Sequence, residues 1–255
     1  MINAQSGQNK TMMTQASRWM LIGLTCAVCL APTATALAEP PPSLNEILKK
    51  TEAYYQKTQA FTATFKQWTS SAAAGTVTSE ASGVLYYQKP RQMHWEYYKP
   101  EEQVFVANQN LAWLYVPAEN QISLFDSKAF FSTPLAQTFF EGMVELRKHF
   151  DVSLDGRQST KVASVLKLVP KKEDPSIRLL YLTIDLQTYQ ITSIESHDAL
   201  GNTNRIALDT QRAHPSLDSK LFQLDIPAGA TVLDTNGREI PREEIEKLRN
   251  KLNTK

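Results

Sequence analysis

The sequence predicts a mainly β (α+β) domain, an antiparallel barrel left incomplete on one side and plugged by helices. Three observations predict it. From Phe61 to Thr210 about ten segments carry apolar side chains at alternate positions, the period of a strand with one buried face. Short turns holding Pro, Gly, Asn or Asp separate most of them, at the spacing of hairpins rather than of crossover helices. Only two to four segments show helical spacing, and a sheet of that size has to curl, close or split into two layers.

The first 38 residues stand apart. A polar leader with Lys10 and Arg18 runs into the apolar Trp19 to Ala31, a signal-peptide length that is too short to span a bilayer. Small residues at Ala36 and Ala38 place cleavage between Ala38 and Glu39, leaving residues 39–255 as a single domain. Met12 or Met13 as initiator leaves the same apolar run, and an uncleaved anchor is the competing reading. Both cysteines, Cys26 and Cys29, leave with the leader. Thr25 and Val28 precede them, where lipid modification needs a small residue. The expectation is therefore a soluble exported protein, without disulfide, thiol nucleophile or thiolate metal ligand.

After a proline linker, Ser43 or Asn45 caps a helix carrying Leu44, Ile47, Leu48 and Tyr54 or Tyr55. At Phe61 the period changes to two, with Phe61, Ala63 and Phe65 on one face. The segment from Gly83 ends at Pro90, which has no N–H for a ladder. Met93, Trp95 and Tyr97 alternate against His94, Glu96 and Tyr98 before a Lys-Pro-Glu-Glu turn. Strands at Gln103 to Ala107, Leu111 to Pro117 and Gln121 to Phe125 complete a meander.

Alternation then stops. Over 127–150, where Thr133 before Pro134 is a helix-start signal, one or two short helices are expected to cross the sheet. Strands resume in FDVSL, VASVLKLVP, RLLYLTIDL, QITSIESHD and NRIALDT, with turns at Asp155-Gly156, Gln187-Thr188 and Gly201-Asn202. Two shorter extended pieces, SLDSKLFQLDIP and AGATVLD, follow. A terminal helix over 241–253 carries Ile245, Leu248 and Leu252 on one stripe.

Charge and motifs narrow the function. Net charge is +1 for the whole chain and −1 once Lys10 and Arg18 are removed, which gives no electrostatic case for nucleic acid or for a polybasic membrane patch. The four histidines belong to no zinc-protease motif, and neither a nucleophile elbow nor a phosphate loop is present. Glu195 to Asp198 is the best carboxylate–histidine cluster, but alternation sends Glu195 and His197 to one face and Ser196 and Asp198 to the other. The chain is therefore expected to be no enzyme and to need neither cofactor nor metal. What alternation leaves open is whether the rings between Met93 and Tyr115 fill an ordinary sandwich core or line a cavity.

A resemblance bears on that choice. Residues 83–121, with a glycine-led strand, a basic-Pro step, the Trp-Glu-Tyr strand, a Pro-Glu turn and a strand pair around Trp113 and Tyr115-Val116-Pro117, resemble the central motif of the periplasmic outer-membrane lipoprotein carrier family. DALGNTNRIAL and LFQLDIPAGATVLD resemble that family's late strand and closing segment, so the likeness runs in order through nearly the whole mature chain. It implies an incomplete barrel of about 10–11 strands with a helical lid over an apolar cavity. The family takes acylated lipoproteins from an inner-membrane ABC-type releasing complex and passes them to an outer-membrane acceptor lipoprotein. The implied protein is a periplasmic monomer.

Carried over by residue, the expected acyl-chain wall is Phe65, Leu85, Tyr87, Met93, Trp95 and Tyr97, continued by Val104, Val106, Trp113 and Tyr115. The family's lid-holding Arg before the proline falls on Lys89, a point donor without the guanidinium fork. Arg91 is the alternative holder, and Leu135 and Phe139 are the expected lid residues. Two other functions in the same superfamily compete. A ligand sensor is expected to carry a further domain, and an outer-membrane acceptor a lipidated N-terminal cysteine.

Overall fold

The computed structural model describes residues 41–132, 143–174 and 176–253. The leader, Thr133-Pro134, Leu135 and Phe139 lie outside them.

Helix α1 (Leu44–Lys57) starts where Ser43 accepts from the Glu46 amide at 3.3 Å. Its buried residues Ile47, Leu48, Thr51 and Tyr55 repeat at helical spacing and pack on the main core. Six strands follow: β1 (Ala60–Ser71), β2 (Thr76–Gln88), β3 (Gln92–Lys99), β4 (Gln103–Ala107), β5 (Ala112–Val116) and β6 (Gln121–Phe125). Two short helices, α2 (Ser127–Phe131) and α3 (Met143–His149), precede β7 (Phe150–Leu154), β8 (Ala163–Pro170), β9 (Leu179–Asp185), β10 (Ile191–His197) and β11 (Thr203–His214). A 3-10 turn at Ser219–Phe222, the short β12 (Thr231–Leu233) and helix α4 (Arg242–Asn253) end the described chain.

All twelve strands form one sheet in the order β12-β6-β5-β4-β3-β2-β1-β11-β10-β9-β8-β7. The end strands β12 and β7 are not paired with each other, so the barrel is incomplete. Three expectations need correction. The described residues hold twelve strands where about 10–11 are expected, and β12 pairs with β6 in parallel, the exception among their otherwise antiparallel pairs. The piece expected to be extended around Leu221 is a 3-10 turn capped by Asp218. Strand β2 also begins seven residues before Gly83, because Thr76–Ser82 has mostly small or polar side chains, mainly exposed, and so lacks the apolar alternation that marks a strand.

Register assigns every side chain to a face. Directly opposed residues share one, so the pairs Trp95 with Phe105, Phe65 with Leu208 and Ile194 with Ile206 lie on the inner face. Gly83 sits where the β3 backbone leaves no room for a side chain: a Cβ there would fall 1.8 Å from the Glu96 carbonyl oxygen and 2.9 Å from the Phe65 ring. The outer face carries a second cluster. Val106, Trp113, Ile122 and Leu124 pack there against Leu224, Ile226, Val232, Ile240 and Ile245 of the C-terminal segment.

Candidate functional site

An apolar cavity of about 250 Å³ opens on the inner face. Its walls come from Phe61 on β1, Leu85 and Tyr87 on β2, and Met93, Trp95 and Tyr97 on β3. Phe105 on β4, Ile194 on β10 and Ile206 and Leu208 on β11 complete the sheet side, and Phe130 from α2 closes the other. Phe65 lies between these rings, edge-on to Trp95 at 4.8 Å and to Tyr97 at 4.9 Å, while Phe61 stacks on Tyr87 at 4.9 Å. Burial pushes the Tyr87 phenol up to about 12 and also raises Tyr97. Both are therefore neutral near pH 7, so the wall carries no charge from them.

The two amide side chains of the lining, Gln67 and Asn204, stand together at one end. The Tyr97 hydroxyl donates to Gln67 Oε1 at 3.1 Å, and Gln67 Nε2 donates to Asn204 Oδ1 at 2.9 Å. Gln67 and Asn204 both line the cavity.

Two helices are tied to the sheet beside the cavity. At the tip of the β2–β3 hairpin, Lys89 Nζ donates to the Tyr55 carbonyl at 2.7 Å and to the Gln56 carbonyl at 3.3 Å. Both are among the last four carbonyls of α1, which have no partner within a helix. An ammonium there also meets the negative end of the helix dipole. Burial lowers the Lys89 pKa from its ordinary value. Arg91, at φ +50°, places its guanidinium 5.9 Å from the centre of the Phe131 ring on α2. Across the sheet, the Ile191 amide donates to the Tyr55 hydroxyl at 3.1 Å and Gln190 to the Tyr54 hydroxyl at 2.6 Å. Helix α1 is thus a strap from the β2–β3 tip to the β9–β10 turn.

A family model described as outer membrane lipoprotein carrier protein LolA matches residues 56–225. The chain belongs to the LolA family. An outer-membrane lipoprotein carrier protein of Methylobacillus flagellatus is 27% identical over 207 residues, covering 81% of this chain and 98% of that protein. One of Methylococcus capsulatus is 31% identical over 162 residues, covering 63% of this chain and 75% of that protein. A solved LolA superfamily structure from Nitrosomonas europaea superposes with a TM-score of 0.40 at 12% identity, covering 72% of this chain and 99% of that one. The family is named for carrying, not for catalysis.

Within this LolA-family chain, the inner face brings Leu85, Tyr87, Met93, Trp95 and Tyr97 together around the cavity, with Phe65 packed behind two of them. It does not bring Val104, Val106, Trp113 or Tyr115 there. Val106 pairs with Trp113 and Val104 with Tyr115, but they share the outer face with His94 and Glu96 and belong to the cluster under the C-terminal segment. The expectation that these four line the wall is corrected by one step of parity at the β3–β4 turn. The residue of β4 that lines the cavity is Phe105, which the sequence reading passed over. Also missed were Phe61, Phe130, Ile194, Ile206 and Leu208, and the polar pair Gln67 and Asn204. Leu135 and Phe139 lie outside the described residues.

The Glu195–His197 pair forms a 2.8 Å contact on the outer face, away from the cavity. Asp198 is occupied by Asn202, whose side chain and amide donate to it at 2.7 and 2.8 Å, and the Asn202 side chain is the first cause of its lowered pKa. Among the described residues no three His, Cys, Asp or Glu side chains gather as a metal site. Among them, too, no helix is long and apolar enough to cross a membrane.

Proposed function

We propose that this chain is a periplasmic carrier that takes the acyl chains of lipoproteins released from the inner membrane by an ATP-driven complex and delivers them to an acceptor at the outer membrane. The observation that carries the reading is the uncharged aromatic cavity closed on one side by Phe130 of α2 and flanked by α1, whose Tyr55 ring packs on Phe61, with one basic residue of the same hairpin tip on each helix. The leader at residues 1–38 directs export and is removed. The carrier itself has no catalytic step, and its work is binding and release.

The cavity volume sets the mechanism. About 250 Å³ is below the ~300–1,000 Å³ of pockets that enclose even drug-sized ligands. It is too small for the several long chains of a lipoprotein, so loading requires the helices beside it, α2 with Phe130 and α1 with Tyr55, to part from the sheet. Closure also lowers net affinity. Burying an acyl chain gains ~0.8 kcal/mol per CH₂, so a fully preformed cavity would hold its cargo too tightly for onward transfer. Opening instead draws on the tethers at Lys89 and Arg91 and on the contacts that Phe130 gives up, so binding is reduced by the cost of populating the open state. Lys89 therefore serves as the holder of α1 and Arg91 as the holder of α2.

The test is direct binding. A triacylated cysteinyl peptide should quench or shift the fluorescence of Trp95, read in a Trp68→Phe/Trp113→Phe background, with saturation at one peptide per chain. Saturation by a diacyl phospholipid at equal affinity, with no preference for the lipopeptide, contradicts the reading.

A further inference from the structure

We infer that the cavity imposes one orientation on its cargo and that a neighbouring polar cleft, which shares Asn204 with it, holds the uncharged polar junction between acyl chains and polypeptide. The inference rests on the carrier reading and adds a subsite to it.

The observation is a polarity gradient repeated on neighbouring strands of the inner face. Along β1 the inner residues run Phe65, Gln67, Thr69. Along β11, antiparallel to it, their opposed partners run Leu208, Ile206, Asn204, and on β10 the partners of Ile206 and Asn204 are Ile194 and Ser196. All three strands change from apolar to polar in the same direction and at nearly the same level. The change spans four residues of strand, about 13 Å.

Beyond it lies a second cavity of about 570 Å³, lined by Thr69, Ser70, Thr78, Ser176, Ser196 and Asn202 among others. Asn204 lines both cavities, and with Gln67 and Tyr97 it forms the hydrogen-bonded belt between them. Within the belt the Tyr97 hydroxyl and the Gln67 amide donate to the Gln67 and Asn204 side-chain carbonyls. An amphipathic ligand can place an ester or amide carbonyl on the Gln67 amide and its own amide N–H on the Asn204 carbonyl that this frees, so that no polar group is left buried and unpaired.

The lining of the cleft selects the chemistry. It offers hydroxyls and amides, its one charged residue is the acid Asp198, and it contains neither Lys nor Arg. A phosphate headgroup finds no cation there, whereas a glyceryl-thioether cysteine with an acylated nitrogen is neutral and rich in hydrogen-bonding oxygen and amide groups. The tails then point toward Phe61, Met93 and Phe130, and the polypeptide leaves past Thr78, on the side away from the Lys89–Arg91 tip.

The experiment uses the photocrosslinking residue p-benzoylphenylalanine, placed singly at Thr78, Phe130 and Ser132, with a triacylated cysteinyl peptide biotinylated at its C terminus as probe. Thr78 should capture the peptide portion and Phe130 an acyl chain, while Ser132, at the end of α2 beside the Arg91 tip, captures neither. In parallel, the Gln67→Leu/Asn204→Leu double variant should bind the same probe about tenfold more weakly. Peptide capture at Ser132 instead of Thr78 overturns the orientation, and unchanged affinity of the double variant overturns the belt's part in it. Equal labelling at Thr78 by headgroup-tagged phosphatidylglycerol vesicles overturns the choice of a neutral junction. Absence of any acyl capture at Phe130, with no binding of the probe, would defeat the carrier reading itself. Acyl capture at Phe130 with silence at Thr78 defeats only this inference.

Discussion

Replacing Lys89 by Met keeps the length of the side chain and removes its ammonium. The Tyr55 carbonyl then loses a 2.7 Å charged donor and the Gln56 carbonyl a longer one of 3.3 Å. A hydrogen bond to a charged group contributes ~1.5–3 kcal/mol. The long bond is exposed and adds little, and the burial that lowers the Lys89 pKa means that part of the gain is spent on desolvating the ammonium. The net loss is ~1.5 kcal/mol, which raises the population of undocked α1 by about tenfold. Native-state hydrogen exchange reads this residue by residue. Amides of α1 should exchange about tenfold faster in Lys89→Met, amides of β8 and β9 should stay within twofold, and Lys89→Arg should recover most of the protection. Unchanged α1 exchange, or a uniform acceleration across the sheet, would refute the view that Lys89 holds a separable strap.

Trp95→Glu puts a carboxylate into the cavity wall and should abolish lipopeptide binding while far-UV circular dichroism keeps its native shape; undiminished uptake would remove Trp95 from the site. Trp113→Ala should do the opposite, costing ~3–5 kcal/mol in denaturant unfolding because it empties the outer cluster, with lipopeptide affinity of the remaining folded protein within threefold of wild type. Gly83→Ala forces a Cβ against the Glu96 carbonyl oxygen and should destabilise the fold by about 3 kcal/mol in the same unfolding assay. The raised phenols predict an alkaline limit. Tyr87 is raised to about 12 and Tyr55 is raised as well, both first by burial, so the unfolded chain loses these protons before the folded one. Their contribution is intact below about pH 10 and is lost as pH climbs toward 12, at up to ~1.4 kcal/mol per pH unit for each phenol. Phenolate absorbance and unfolding should therefore rise together in that window.

Much of this architecture was legible because strand period, turns and helix caps are local properties. Ser43 before α1, the alternation through Met93, Trp95 and Tyr97, and the hairpins to β6 all follow from side chains close in sequence. The face that each strand presents does not. Both Val104/Val106 and Phe105 suit a buried position on β4, and only the register across the Lys-Pro-Glu-Glu turn selects Phe105 for the inner face. Trp113 and Tyr115 were misplaced for the same reason, since a C-terminal segment more than a hundred residues away supplies an apolar partner for the outer face. Gln67 and Asn204 carried no signal either. Each is an unremarkable polar residue in a strand until pairing of β1 with β11 sets them 2.9 Å apart. The basic-Pro step, in contrast, pointed to Lys89 and Arg91 together, and the structure divides them between α1 and α2.

The most direct test of the central claim follows a lipoprotein out of a membrane. Inner-membrane vesicles holding a labelled triacylated lipoprotein and the cognate releasing complex are incubated with the purified protein and ATP, and the supernatant is separated from the vesicles. The account predicts a soluble one-to-one complex that forms only with ATP and is lost with Trp95→Glu. Label that stays with the vesicles, while a control carrier extracts it from the same preparation, would contradict the account.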